Sequence, residues 1–213
     1  MRLRYWLKSG FQTFGLVIGA CLIYGLLMAL QMQDALSDMF TLMPVYLLLF
    51  GGMMLLAMNI GVYKFNLQLA LAFGSTRNEA ILGLNLFRLI PTILLTAVLV
   101  VFCALPMVDA PVSAAQAIPL GLGVYLFFGA LGSAIGVIFT KYGKIVAIVT
   151  AVLLVLICGV CGFLAGFSGS NSFLGSLIFS DSLPWLVLGI GLLAYALSQI
   201  PEQRTVWKCN VKL

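Results

Sequence analysis

Apolar runs bounded by charged residues or proline recur along the chain at about 11–31, 40–63, 86–106, 116–139, 145–167 and 183–200. Each is close to the roughly 20 residues that carry an α-helix across about 30 Å of hydrocarbon. The pattern predicts an all-α, polytopic membrane protein of six transmembrane helices, forming a single transmembrane domain over residues 1–213. Proline placement agrees, because a residue without a backbone donor is cheapest in a first turn or just past a helix end. Pro44, Pro119 and Pro184 fall near starts, and Pro106 and Pro201 near ends. Pro91 lies inside the third run and predicts a bend there.

Two segments outside the runs also carry helical signals. The first ten residues mix Arg2, Arg4 and Lys8 with Leu3, Tyr5, Trp6 and Leu7, a combination suited to lipid headgroups, and predict a short N-terminal interfacial helix. The longest polar connection runs from Lys64 to Arg88. In its second half Thr76 and Glu79 are spaced for a capping box, so a short helix is expected to start at Thr76. Its first half, Phe65 to Phe73, alternates with a period near two, but a lone strand has no sheet to join, so it too is read as helix.

Charge fixes an orientation for this pattern. With the N-terminus in the cytoplasm, all 11 lysines and arginines fall at or near the inner side. The outer loops carry Asp34, Asp38, Asp109 and Asp181 and no basic residue. The positive-inside rule therefore predicts a multi-pass protein of the cell membrane with both termini cytoplasmic. The net charge of +5 is thus a topology signal and not a nucleic-acid footprint. Composition supports the membrane assignment, with 63% hydrophobic residues, 8% charged residues and a mean hydropathy of +1.18. The basic start is followed by an apolar run too long for a signal-peptide core, so it is read as the first span.

Candidate chemistry is sparse. The middles of the expected spans hold no acidic or basic residue, and the chain has no histidine, so proton relays and nucleophile–base pairs within the membrane are not expected. Asn59, Thr96, Ser133 and Thr150 are among the polar residues at membrane depth. Five cysteines (Cys21, Cys103, Cys158, Cys161 and Cys209) do not form a disulfide framework, and the Cys158/Cys161 pair reads as small packing residues rather than a metal or redox site. Glycines four apart, Gly15/Gly19, Gly132/Gly136 and Gly162/Gly166, are spaced for close helix contact. The fourth span, which adds Gly121, Gly123 and Gly129, is expected either to flex or to face a partner. No GxxxxGK[ST] phosphate loop occurs, so ATP hydrolysis by the usual phosphate-cradling loop is not expected of this chain, and neither cofactor nor metal is expected here.

Phe73-Gly74-Ser75-Thr76-Arg77-Asn78-Glu79-Ala80 resembles the turn after the second span in permease subunits of type-2 ATP-binding-cassette (ABC) exporters, especially small ones of Gram-positive bacteria. Gly129 to Gly136, followed by Lys141-Tyr142-Gly143-Lys144, resembles the glycine-rich fourth span and basic turn of the same family. The resemblance implies a transport subunit, not an enzyme. It would pair with a second permease, identical or related, and be driven by a separate ABC ATPase subunit that binds ATP and Mg. It also implies that Ser75, Thr76, Arg77, Asn78, Glu79, Ile81 and Leu82 form a cytoplasmic coupling helix docking on that ATPase. Residues 168–182 would make a shallow re-entrant hairpin. A path without buried charge suits an apolar or amphipathic cargo. Membrane lipid is the other expected partner, and nucleic acid is not. Two other classes fit the composition: a passive channel or pore-forming protein, and a non-transporting membrane scaffold or immunity factor.

The orientation is checked by labelling. In a chain freed of native cysteines, single cysteines at Ser37, Ser113 and Ser172 are expected to react with an impermeant thiol reagent in intact cells, and cysteines at Ser75 or Lys208 are not. Labelling of the Ser75 site from outside would overturn the orientation.

Overall fold

A computed structural model describes residues 2–29, 35–64, 66–72, 76–105, 113–143, 145, 148–149, 152 and 182–208. The helices delimited among these residues are α1 (Arg2–Ala29), α2 (Ala35–Lys64), α3 (Asn66–Ala72), α4 (Arg77–Ala104), α5 (Ala114–Tyr142) and α6 (Leu183–Lys208). Five stretches, Arg4–Ile23, Tyr46–Gln68, Arg77–Ala104, Ala114–Tyr142 and Leu183–Trp207, are long and apolar enough to cross a membrane. Of the run expected at 145–167, residues 153–167 lie outside the described residues. So do most of the expected re-entrant hairpin, Cys158, Cys161, Cys209, Thr150, Gly162 and Gly166.

Local signals explain the helix starts. Thr76 caps α4, accepting from the Glu79 amide at 3.3 Å while the Glu79 carboxylate accepts from the Thr76 amide at 2.9 Å. Ser113 and Gln116 make the same reciprocal box at the start of α5. α5 ends at Gly143, whose φ of 88° lies in the left-handed region that glycine enters without a Cβ clash. α3 forms over the segment of ambiguous period and is tied to α1 by a bond from Asn66 Nδ2 to Ser9 Oγ at 3.3 Å.

Two sequence expectations meet a different geometry. The segment after Thr76 is not a short helix separated from the third span. α4 runs without interruption from Arg77 to Ala104, with Pro91 buried inside it. The proline ring removes only one intrahelical bond, and packing on both sides of it holds the helix together. The first ten residues likewise continue directly into α1. Trp6 is 1% exposed and packs against Gly83, where a Cβ would collide with the indole, so this ring is a core residue and not a headgroup anchor.

The core divides into two apolar clusters along the bundle axis. One gathers Trp6, Tyr63, Ala80, Leu84, Phe87 and Val206 at the end where α4 begins and α5 and α6 finish; this is called the basic end below, since Arg4, Lys8, Arg77, Lys141 and Arg204 lie there. The other gathers Val17, Met43, Leu47, Leu95, Leu99 and Tyr125 further along. Leu16, Ile93, Val101 and Leu193 point outward and are more than half exposed, as befits helices solvated by hydrocarbon.

α5 is the hub, packed against α2, α4 and α6. In hydrocarbon, helices gain nothing from hiding apolar side chains, so close van der Waals approach must hold them together. The glycines of α5 allow it. A Cβ on Gly123 would stand 2.6 Å from the α6 backbone at Val187 and Leu188, and one on Gly132 would stand 2.5 Å from the Leu56 carbonyl oxygen of α2. Gly136 faces the Tyr63 ring, and Gly121 faces Thr96 and Leu99. These glycines are therefore consumed by packing within the chain, and neither a hinge nor a partner face is needed to account for them. Gly15 and Gly19 differ: a Cβ at either meets nothing within 4 Å among the described residues.

Replacing Gly123 with alanine forces α5 and α6 apart and is expected to cost about 1–3 kcal/mol, typical of overpacking. Gly15→Ala and Gly19→Ala are expected to carry no such penalty. Thermal unfolding midpoints in one detergent check the contrast, and equal losses at Gly123 and Gly19 would contradict the packing account.

Candidate functional site

Between the two apolar clusters lies a polar layer built by α4 and α6. Arg88, Thr92 and Thr96 follow one face of α4. Tyr195, Ser198, Gln199 and Glu202, spaced at three and four residues, follow one face of α6. Arg88 ion-pairs through Nη2 with Glu202 Oε1, and both side chains are almost fully enclosed, at 1% and 3% exposure. Its Nη1 donates to Ser198 Oγ at 2.9 Å, and the guanidinium carbon stands 5.0 Å from the centroid of the Tyr195 ring. The Tyr195 hydroxyl and Gln199 Nε2 both donate to Asn85 Oδ1, at 2.8 and 2.9 Å.

α5 supplies the floor. A Cβ at Gly129 would stand 3.0 Å from Arg88 Cγ, so glycine leaves room for the arginine stem to lie flat. Arg88 sits sixteen residues before Ala104, about 24 Å at 1.5 Å per residue. Glu202 sits nineteen residues after Leu183, about 28 Å on the same scale. The pair thus lies toward the basic end of both helices, enclosed within the bundle.

An ion pair in such a place needs further hydrogen bonds, because desolvating two charges costs several kcal/mol for each ion. Ser198 and Tyr195 provide part of that compensation. Among the described residues, Arg88 Nε and the buried Tyr63 hydroxyl have no protein partner. What the layer can do is mechanical: it bolts α4 to α6 with a directional bond in a region where apolar contacts alone leave rotation free.

The sequence-predicted polar residues at depth are occupied locally. Asn59 donates to the Leu55 carbonyl at 2.8 Å, Thr96 to Thr92 at 2.8 Å and Ser133 to Ala130 at 2.9 Å, each within its own helix. Of the expected docking residues, Ser75 lies outside the described residues. Thr76, Arg77 and Asn78 are exposed, Glu79 is engaged by the cap, and Leu82 is 51% exposed. Ile81 turns inward against the cluster around Trp6. Arg77 stacks on the Trp207 ring, 5.4 Å from its centroid, so the start of α4 also touches the end of α6.

Sequence reasoning passed over Arg88 as one more basic residue near the inner side, and it did not use Glu202 at all. The signal was present. Arg88 is flanked by Leu86-Phe87 and Leu89-Ile90, a context in which a charge requires a partner. The stripe Tyr195, Ser198, Gln199, Glu202 is the matching polar face on an apolar helix. No family model, curated protein or solved structure matches this chain.

Removing one partner strands the other charge. Arg88→Met is expected to destabilise the chain by about 3–5 kcal/mol, and the double variant with Glu202→Met to recover most of that loss. Unfolding in detergent measures both. A double variant as unstable as the sum of its single variants would contradict a paired site.

Proposed function

We propose that the chain is the membrane-spanning permease subunit of an ABC exporter, moving an apolar or amphipathic substrate with energy from ATP hydrolysed on a separate subunit. In this reading it has six spans, the additional one within 145–167, and both termini face the cytoplasm. Two permease subunits, identical or related, enclose the path. The positively charged first turn of α1 sits among the headgroups of the inner leaflet.

One observation carries the reading: the start of α4 is an exposed, capped helix end that continues as a single rod to the Arg88–Glu202 bolt. A docking turn is useful only if its movement reaches the membrane. Thr76, Arg77, Asn78 and Leu82 offer an exposed surface, Glu79 stiffens the helix start, and Ile81 roots it in the core. A push on this end travels along α4 without a flexible joint and is passed to α6 through the pair, with Arg77 on Trp207 as a second contact. The family resemblance at Phe73 to Ala80 and Gly129 to Lys144 supports the same assignment.

The inward turn of Ile81 divides the docking residues into two kinds. Leu82→Ser combined with Asn78→Ala is expected to weaken copurification of a coexpressed ABC ATPase subunit while leaving the permease folded, whereas Ile81→Ser destabilises the permease itself. Glu79→Ala loosens the cap by about 1 kcal/mol and chiefly lowers transport-linked ATP turnover. The purified chain alone is expected to show no ATP turnover. Ion conduction by the chain alone in planar bilayers, with no ATPase bound in mild detergent, would replace this reading with the passive channel.

A further inference from the structure

We infer that the crevice between the ends of α5 and α6 is a binding site for an anionic phospholipid, holding the phosphodiester between Lys141 and Arg204 and an acyl chain against Val137, Ile200 and Pro201. The inference rests on the multi-pass membrane reading but not on the transport role.

The crevice follows from the helix crossing. α5 and α6 are in backbone contact where Gly191 meets Gly123. Beyond that contact, at the basic end, a cavity of about 580 Å³ opens between them. Its walls are amphipathic. Val137, Ile200 and Pro201 form the apolar part, and Thr140, Lys141, Arg204 and Thr205 the polar part. One cation comes from each helix, and both are exposed. Lys141 lies over the Tyr142 ring, 4.8 Å from its centroid, and neither basic residue has a carboxylate partner among the described residues. The acid nearest in sequence, Glu202, is spent on Arg88.

That combination selects a ligand with a negative head and an apolar tail. Two cations without counter-charge attract a phosphodiester, and each is worth about 1 kcal/mol near an anionic headgroup layer. The hydroxyl protons of Thr140 and Thr205 are directed to the Val137 and Pro201 carbonyls at 2.8 Å, leaving the hydroxyl oxygens as acceptors. A glycerol headgroup can donate to them, and a choline headgroup cannot. Phosphatidylglycerol therefore fits better than phosphatidylcholine. The site also stands beside the bolt, since Pro201 and Arg204 flank Glu202, so an occupied crevice wedges α6 against the α4 pair.

The test uses the full chain, delipidated in detergent and titrated with dioleoyl phosphatidylglycerol or dioleoyl phosphatidylcholine under native mass spectrometry. Phosphatidylglycerol is expected to bind more tightly. Lys141→Ala with Arg204→Ala is expected to weaken it about 30-fold, about fivefold for each lost cation, and to leave phosphatidylcholine binding unchanged. Lys141→Arg with Arg204→Lys should retain binding. Arg4→Ala with Lys8→Ala removes the same charge from the same end of the bundle and should leave it unaltered. Equal binding of the two lipids, loss of binding in the charge-conserving variant, or an equal loss in the Arg4/Lys8 control would overturn the site. Displacement of the lipid by glycerol 3-phosphate or inorganic phosphate at matching concentration would replace a lipid site with a soluble phosphate site. Failure of the membrane reading is seen separately, as release of the chain from membranes by alkaline carbonate.

Discussion

A guanidinium cannot be left alone in an apolar interior, and the arrangement of α4, α5 and α6 follows from that requirement. Arg88 is buried on a helix whose neighbours are leucine, phenylalanine and isoleucine, so its charge has to be met from another helix. Glu202 meets it, Ser198 takes a second donor, and the Tyr195 ring covers the cation's face. Gly129 completes the site by omission, because a Cβ there would stand 3.0 Å from Arg88 Cγ and crowd the arginine stem. A directional bond of this kind sets which face of α6 turns toward α4. Dispersion between smooth apolar helices does not specify that choice as sharply.

The remaining polar groups follow a different rule. Thr13, Asn59, Thr92, Thr96, Ser133 and Thr205 each satisfy a donor within their own helix, so they make no demand on their neighbours. Among the described residues buried polarity is thus of two kinds: self-satisfied hydroxyls and amides that permit burial anywhere, and cross-helix bonds that specify position, such as the Tyr125 hydroxyl donating to the Leu47 carbonyl at 2.9 Å and the network around Arg88. The Arg88 network joins parts of the chain more than a hundred residues apart. Its location between two apolar clusters lets it register the upper and lower halves of the bundle against each other.

Much of this architecture was legible in the sequence because helix and span are local properties. Five of the six apolar runs, the Thr76/Glu79 cap and the helical reading of the segment, described over Asn66–Ala72, all depend on residues within a few positions of each other, and the described helices agree with them. What was not legible is what depends on distant neighbours. Pro91 reads as a junction between two helices from composition alone, but α4 continues through it as one helix. Trp6 has the character of a headgroup anchor until Gly83 supplies a slot for it. The glycines of α5 look equally suited to flexing, dimerising or packing, and only the backbones of α2 and α6 decide among these. Arg88 and Glu202 were each visible, but nothing short of the fold says that they meet.

The separation of that pair along the chain also shapes how the protein can be made. Arg88 leaves the ribosome 114 residues ahead of Glu202. For that interval α4 carries an unneutralised cation, which costs about 2.5–3.5 kcal/mol at the centre of an inserting helix and less toward its end. The nascent helix can reduce that cost only by letting the arginine reach toward headgroups, displaced from the depth it holds in the finished bundle. The arrival of α6 then draws it inward. A helix synthesised 114 residues later is therefore the one that completes the interior of an earlier one.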